Sequence, residues 1–377
     1  MHNPPSDIDK ILPQGEMLRG FLEQSYLSKQ NLFDALRMRG VFTSEKDKSE
    51  TIPILTTSLI SPDEFDFLRE QQNTKEDNPK VITQHINWSE NKPIIECLPE
   101  NFELSNVLDL EFSNYSVSGS PDFVPIENDP NHVILDFNIE RVDKAKNWAN
   151  NSNTFSGSVE LKRVEDEGHV RIVITHTAEE TKSVANEASK NILKHFKEKG
   201  HIANNSKLEK ILFSEFSNPN RIEYFWSLTK DSTSSILDFS SIVDIEFSPD
   251  KSNTLPSGID WMAQKIDALT IKGKSLQDTF FIQEKKYHDY ILLYGVDCKF
   301  EFNLNGLVGE CVISISFPDF RKAWSENAEL EVNIKSISFN ILSKKINRNQ
   351  VKKSLMKEIE EQKIKFFSKY RVLENVA

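Results

Sequence analysis

NVLDLEFS at residues 106–113 and SIVDIEFS at residues 241–248 share Asp, Glu, Phe and Ser at identical positions and replace apolar residues only with apolar ones. Alternation along an extended chain puts Asp109 and Glu111 on one face and Leu110 and Phe112 on the other. The second copy divides Asp244 and Glu246 from Ile245 and Phe247 in the same way. Each copy therefore reads as a strand with one buried and one solvated face. Upstream, Asn78-Pro79 leads to Trp88-Ser89 and Asn218-Pro219 to Trp226-Ser227. Downstream, HVRIVITH at residues 169–176 precedes a helical pattern from about 179 to 199 that carries Val184, Ile192, Leu193 and Phe196. ELEVNIKSISFNIL at residues 329–342 likewise precedes a helical pattern from about 348 to 370. The shared order predicts an α+β protein with two duplicated α+β domains, their sheets antiparallel-rich and their helices on one side.

The first 72 residues read as short helices. Leu18, Phe21 and Leu22 have helical spacing after Gly15, and Leu32, Phe33 and Leu36 repeat it after Ser28. Gly40 is suited to end that second helix because it accepts a left-handed backbone. Residues 51–59 suggest a third helix with Pro53 in its first turn. Ser61-Pro62-Asp63-Glu64 offers a capping hydroxyl, a proline at the first helical position and a glutamate at the third, the signature of a helix start. Residues 73–80 form a polar linker, leaving 81–204 for the first α+β domain and 205–377 for the second.

With 38% hydrophobic and 28% charged residues the chain is too apolar to stay unfolded. No apolar run exceeds strand length and the start lacks a signal-peptide pattern, so no membrane contact is expected. Cys97, Cys298 and Cys311 are too few and too scattered for a disulfide framework or a metal knuckle, which suits a reducing cytoplasm. The net charge of -12 opposes a chain that coats nucleic acid, yet residues 344–371 hold ten Lys or Arg against three Glu.

Catalytic signatures are scarce. Gly273-Lys274-Ser275 lacks the upstream glycine of a phosphate-binding loop and reads as a turn. His169 and His176 are separated by an odd interval, so a strand sends them to opposite faces. Asp109/Glu111 and Asp244/Glu246 could hold Mg²⁺, though a solvated strand face explains them more simply. Asp122 followed by Glu160 and Lys162 imitates the grammar of PD-(D/E)xK nucleases, in which two carboxylates bind Mg²⁺ and a lysine orients water. Against that reading, residues 147–158 look like a loop and E-x-K is common on exposed strands. No cofactor or resident metal is expected.

For binding, Val351, Leu355, Ile359, Phe366 and Tyr370 form an apolar stripe on the last helix, widened by Met356 and Phe367, while Lys353, Lys357 and Lys365 fall largely on the other side. Such a helix can dock on the body and offer lysines to phosphates. At the other end, LFDALRMRGVFTSEKDKSETIPILTTSLI resembles SAP-type DNA-binding modules, with Arg37, Arg39, Lys46 and Lys48 as the nucleic-acid candidates. Its loop is long for that pattern and residues 1–80 are net acidic, so a protein-docking module fits equally well.

Over a wider span, ILPQGEMLRGFLEQSYLSKQNL, SPDEFDFLRE and KEDNPK resemble the accessory subunit of two-gene bacterial anti-phage defence systems, encoded beside a PD-(D/E)xK-type nuclease. The resemblance implies a hetero-oligomer in which a nuclease subunit encoded nearby cuts nucleic acid. This chain would sense, position or restrain it, with DNA as a possible second ligand. The competing expectation is a Mg²⁺-dependent nuclease using Asp122, Glu160 and Lys162.

Overall fold

The computed structural model describes residues 12–23, 27, 29–44, 47–62, 64–65, 68, 78–100, 102–104, 115–142, 152–164, 168–230, 234–263, 266–340 and 348–372. The protein is α+β, a group of N-terminal helices followed by a large antiparallel sheet with helices packed on it. The helices α1 (Gly15–Leu22), α2 (Lys29–Met38) and α3 (Lys48–Thr57) enclose their own core of Leu18, Phe21, Leu22, Leu32, Leu36, Ile52 and Leu55. Gly40 ends α2 as its sequence suggests. Its φ is 73°, its N–H donates to Arg37 O at 2.9 Å, and Val41 N–H reaches back to Leu36 O at 3.0 Å, which satisfies the last carbonyls of the helix. The start at Ser61 is equally legible. Glu64 N–H donates to Ser61 Oγ at 3.2 Å and Ser61 N–H donates to Glu64 Oε2 at 2.8 Å, a reciprocal cap. One boundary differs, because α3 begins at Lys48 and Pro53 lies inside it. Asp47 accepts the first amides of that helix, so it starts a turn before the apolar pattern does.

Among the described residues the sheet has twelve strands: β1 (Lys80–Asn87), β2 (Tyr115–Ser118), β3 (Phe123–Ile126), β4 (Asp129–Val142), β5 (Ser152–Val164), β6 (His169–His176), β7 (Glu209–Lys210), β8 (Leu237–Pro249), β9 (Leu269–Lys272), β10 (Ile291–Leu304), β11 (Leu307–Ser316) and β12 (Glu331–Phe339). Their order is β2-β4-β5-β6-β1-β12-β11-β10-β8-β9, with β3 on the outer edge of β4 and β7 on β1. Asn305-Gly306, both with positive φ, make the two-residue turn that joins β10 to β11. Within this order β4-β5-β6 and then α4 (Glu179–Glu198) repeat as β10-β11-β12 and then α7 (Arg348–Tyr370). Between them lie α5 (Asn218–Lys230) and the short α6 (Pro318–Ala323).

The halves share one sheet through β1, which pairs with β6 along its length and with β12 at Lys80 and Val81. Alternation lets this strand serve two cores. Ile82 and Ile86 join Ile172, Val184 and Phe196 beneath α4, while Val81 joins Val332 and Leu355 beneath α7. The two long helices therefore cover opposite faces. NVLDLEFS lies outside the described residues, whereas SIVDIEFS sits in β8 with Ile245 and Phe247 in the core. The upstream correspondence does not hold, since Asn78-Pro79 leads into β1 and Asn218-Pro219 opens α5. Part of the expected loop at 147–158 is also strand, because β5 already begins at Ser152.

Candidate nucleic-acid interface

The last helix is far more buried than an amphipathic surface helix. Val351, Leu355, Met356, Ile359, Phe366 and Phe367 enter the core, and Lys352, Glu360, Gln362 and Lys363 are buried as well. Polar partners make this possible. Lys363 Nζ lies 2.7 Å from Glu360 Oε2, Glu360 also accepts the Thr83 hydroxyl of β1, and Lys352 Nζ donates to Asn78 Oδ1 at 3.0 Å. Only a narrow ridge is left to solvent, and it contains the three lysines expected there. Lys353, Lys357 and Lys365 are exposed with Glu361 among them. Lys365 Nζ lies 5.8 Å from the Phe366 ring centre, and no carboxylate among the described residues pairs with any of the three.

The N-terminal cations are differently placed. Arg39 is mostly buried: its guanidinium grips both oxygens of Glu64 and donates to Ser58 Oγ and, at 2.8 Å, to Leu59 O. That fork holds the Glu64 carboxyl down to about 2, below its ordinary value, with the Ser61 cap assisting. Lys48 Nζ reaches Leu22 O at 3.4 Å at the end of α1, where a cation complements the helix dipole. Arg37 is exposed and 3.5 Å from Asp34 Oδ1. Lys46 lies outside the described residues.

Asp122, Glu160 and Lys162 are not brought together. Asp122 precedes β3, is exposed and accepts the Phe123 N–H at 2.7 Å. Glu160 and Lys162 lie on β5, and β4 stands between β3 and β5, so about 10 Å of sheet separates the carboxylates. Glu160 instead meets His132 Nε2 at 2.6 Å. Among the described residues no group of three or more His, Cys, Asp or Glu side chains could hold a metal ion. Asp244 and Glu246 are ion-paired with Lys272 at 3.5 Å and Arg321 at 2.7 Å, and Asp109 and Glu111 lie outside the described residues. His169 and His176 do face opposite ways. His176 is buried with Glu331 and Lys80 where β6, β1 and β12 meet, whereas the His169 ring packs edge-on against His85, 4.7 Å between centres. Burial opposes ionisation of Glu331, but His176, Lys80 and Lys182 outweigh it and keep the carboxyl below its usual range.

Register adds residues that periodicity along the sequence cannot reveal. On the face of the first half opposite α4, His132 of β4 stands opposite Lys162 of β5, Lys162 opposite Arg171 of β6, and Arg171 opposite His85 of β1. His85 is held neutral, down to about 3, first by burial and then by His169, Arg171 and Lys363.

Residues 16–78 match the family model for the N-terminal domain of GAPS4b proteins. The match covers the helical module and the linker and fits a defence-system protein. No curated protein and no solved structure matches the chain significantly. No described helix is long and apolar enough to cross a membrane.

Proposed function

We propose that this chain is the non-catalytic subunit of an anti-phage defence complex, holding a nuclease partner and contacting nucleic acid through α7. The observation that carries this reading is the ridge of Lys353, Lys357 and Lys365, exposed and unneutralised on a helix that is otherwise buried in an acidic chain. Closely spaced like charges repel, so the ridge gains nothing in folding stability that a polar ridge would lack. Phosphates offset that repulsion and release counterions on binding. The N-terminal match supports the defence setting, and the structural use of Arg39 and Lys48 favours protein docking over DNA reading for that module.

The test is copurification with the product of the neighbouring gene, followed by DNA-binding titrations of the assembled complex. Replacing Lys353, Lys357 and Lys365 with Glu is expected to weaken DNA affinity by roughly 10–100-fold near physiological salt while the partner is still captured. The reading fails if the purified chain alone degrades DNA in Mg²⁺, an outcome that returns Asp122, Glu160 and Lys162 to consideration.

A further inference from the structure

The polar face of the first half contains a row of basic residues that runs across the strands rather than along any one of them. His132, Lys162, Arg171 and His85 are successive cross-strand neighbours on β4, β5, β6 and β1. With neighbouring strands about 4.8 Å apart, the row spans about 14 Å. Within it Lys162 and Arg171 are cations directly opposite one another, while His85 is neutral; facing like charges destabilise a sheet, so a structural pair of this kind is normally interleaved with acids. Only one end has such relief. Glu160 meets His132 at 2.6 Å, whereas among the described residues neither Lys162 nor Arg171 has a carboxylate partner. The His85 end meets Glu209 of β7 in register, but Arg371 lies 3.6 Å from that carboxylate.

Arg171 is the centre of the argument. It is half-buried, and its Nε is buried without a hydrogen-bond partner, as is Nε2 of the adjoining His85. A desolvated donor left unmade is costly, and a guanidinium fork fits a phosphate with two parallel bonds. The face around the row carries no Phe, Tyr or Trp on β1, β4, β5 or β6, because Phe137 and Phe155 point into the opposite core, and its His85 and His169 rings pack on each other. It therefore lacks both a platform for stacked bases and the aromatic anchors typical of protein interfaces.

We propose that the row Lys162–Arg171–His85 is a phosphate-binding track for the backbone of a nucleic acid, passing beside α7 without reading sequence. This rests on the nucleic-acid reading of α7 and adds a second contact region to it. Bound phosphate would donate no proton and change no covalent bond; its role is to neutralise the row.

The test uses the full chain with its copurified partner and fluorescein-labelled DNA, single-stranded and duplex, titrated between about 50 and 200 mM salt. The double variant Lys162→Gln with Arg171→Gln is expected to bind about 10-fold more weakly at the lower salt, with the slope of log affinity against log salt reduced by about 2. Unchanged affinity and slope in the double variant, while the α7 triple variant loses binding, overturns the track and leaves the α7 reading intact. Loss of partner capture with DNA binding retained also overturns it, assigning the row to an acidic protein surface. Failure of the wild-type complex to bind any DNA removes both proposals.

Discussion

The polar faces of the two sheet halves use charge in opposite ways. In the second half Asp244 pairs with Lys272, Glu246 with Arg321, Asp297 with Lys335 at 2.6 Å and Glu310 with Lys299 at 2.9 Å. These four acids each have a cation, and the pairs tie β8 to β9 and α6 and β10 to β11 and β12, while Asp238 and Glu301 face each other in register at the far end of β8 and β10. In the first half Lys162 and Arg171 stand side by side and no carboxylate among the described residues pairs with either. Paired charges close a surface off and orient its strands, while unpaired ones of a single sign store repulsion that an outside partner can relieve. The α7 helix divides along the same line, with Lys352 and Lys363 satisfied inside and Lys353, Lys357 and Lys365 unneutralised outside.

The largest expected effect comes from breaking a buried pair. Glu360→Ala leaves the fully buried Lys363 ammonium without its carboxylate and is expected to cost about 3–5 kcal/mol in urea unfolding. The double replacement Glu360→Leu with Lys363→Met removes both charges and is expected to recover most of that loss. A single variant as stable as the wild type would place Lys363 among the unneutralised cations and blur the division.

Less is expected from Lys335→Ala. It strips the cation from Asp297, a residue 8% exposed, and about 1–3 kcal/mol should be lost in the same measurement. The acid limb of the stability curve isolates another paired site. Arg39 and the Ser61 cap hold the folded Glu64 pKa down to about 2, so their contribution is fully present above the unfolded value near 4.5. It is lost as pH falls from there through about 2. Solvent screening and the cost of desolvating the pair reduce that contribution to roughly 1–2 kcal/mol. Glu64→Gln should therefore flatten the acid limb between those values. The smallest effect is expected at the unpaired row, where Lys162→Gln or Arg171→Gln should change stability by no more than about 0.5 kcal/mol, in the stabilising direction if repulsion dominates. A large loss there would make the row structural.

Local signals were legible in the sequence wherever the cause was local. HVRIVITH alternates β-branched and polar residues, and its burial alternates with it from His169 to His176. Ser61 with Glu64, and Gly40 after Arg39, announced helix ends because caps act within a few residues. The exposed lysines of α7 followed from helical spacing. What escaped notice depends on partners distant in sequence. No periodicity shows that Lys363 is buried, because its acceptance requires Glu360 on the preceding turn and the helix to lie over Thr83. The role of β1 in joining the halves depends on pairing with β12, some 250 residues later. The basic row exists only in register, since Lys162, Arg171 and His85 come from three strands and none stands out along its own strand. Asp122 and Glu160 failed to meet for the same reason, as the intervening β4 could not be inferred from their spacing.

The most direct measurement of the central claim is hydrogen–deuterium exchange of the full chain with its partner, with and without bound DNA. If unneutralised cations mark the contact surface, added DNA should slow exchange in β5, β6 and the exposed turns of α7 and leave β8 to β11 unchanged. Protection confined to β8–β11, or none in those first-half strands under conditions where DNA is bound, would contradict the account.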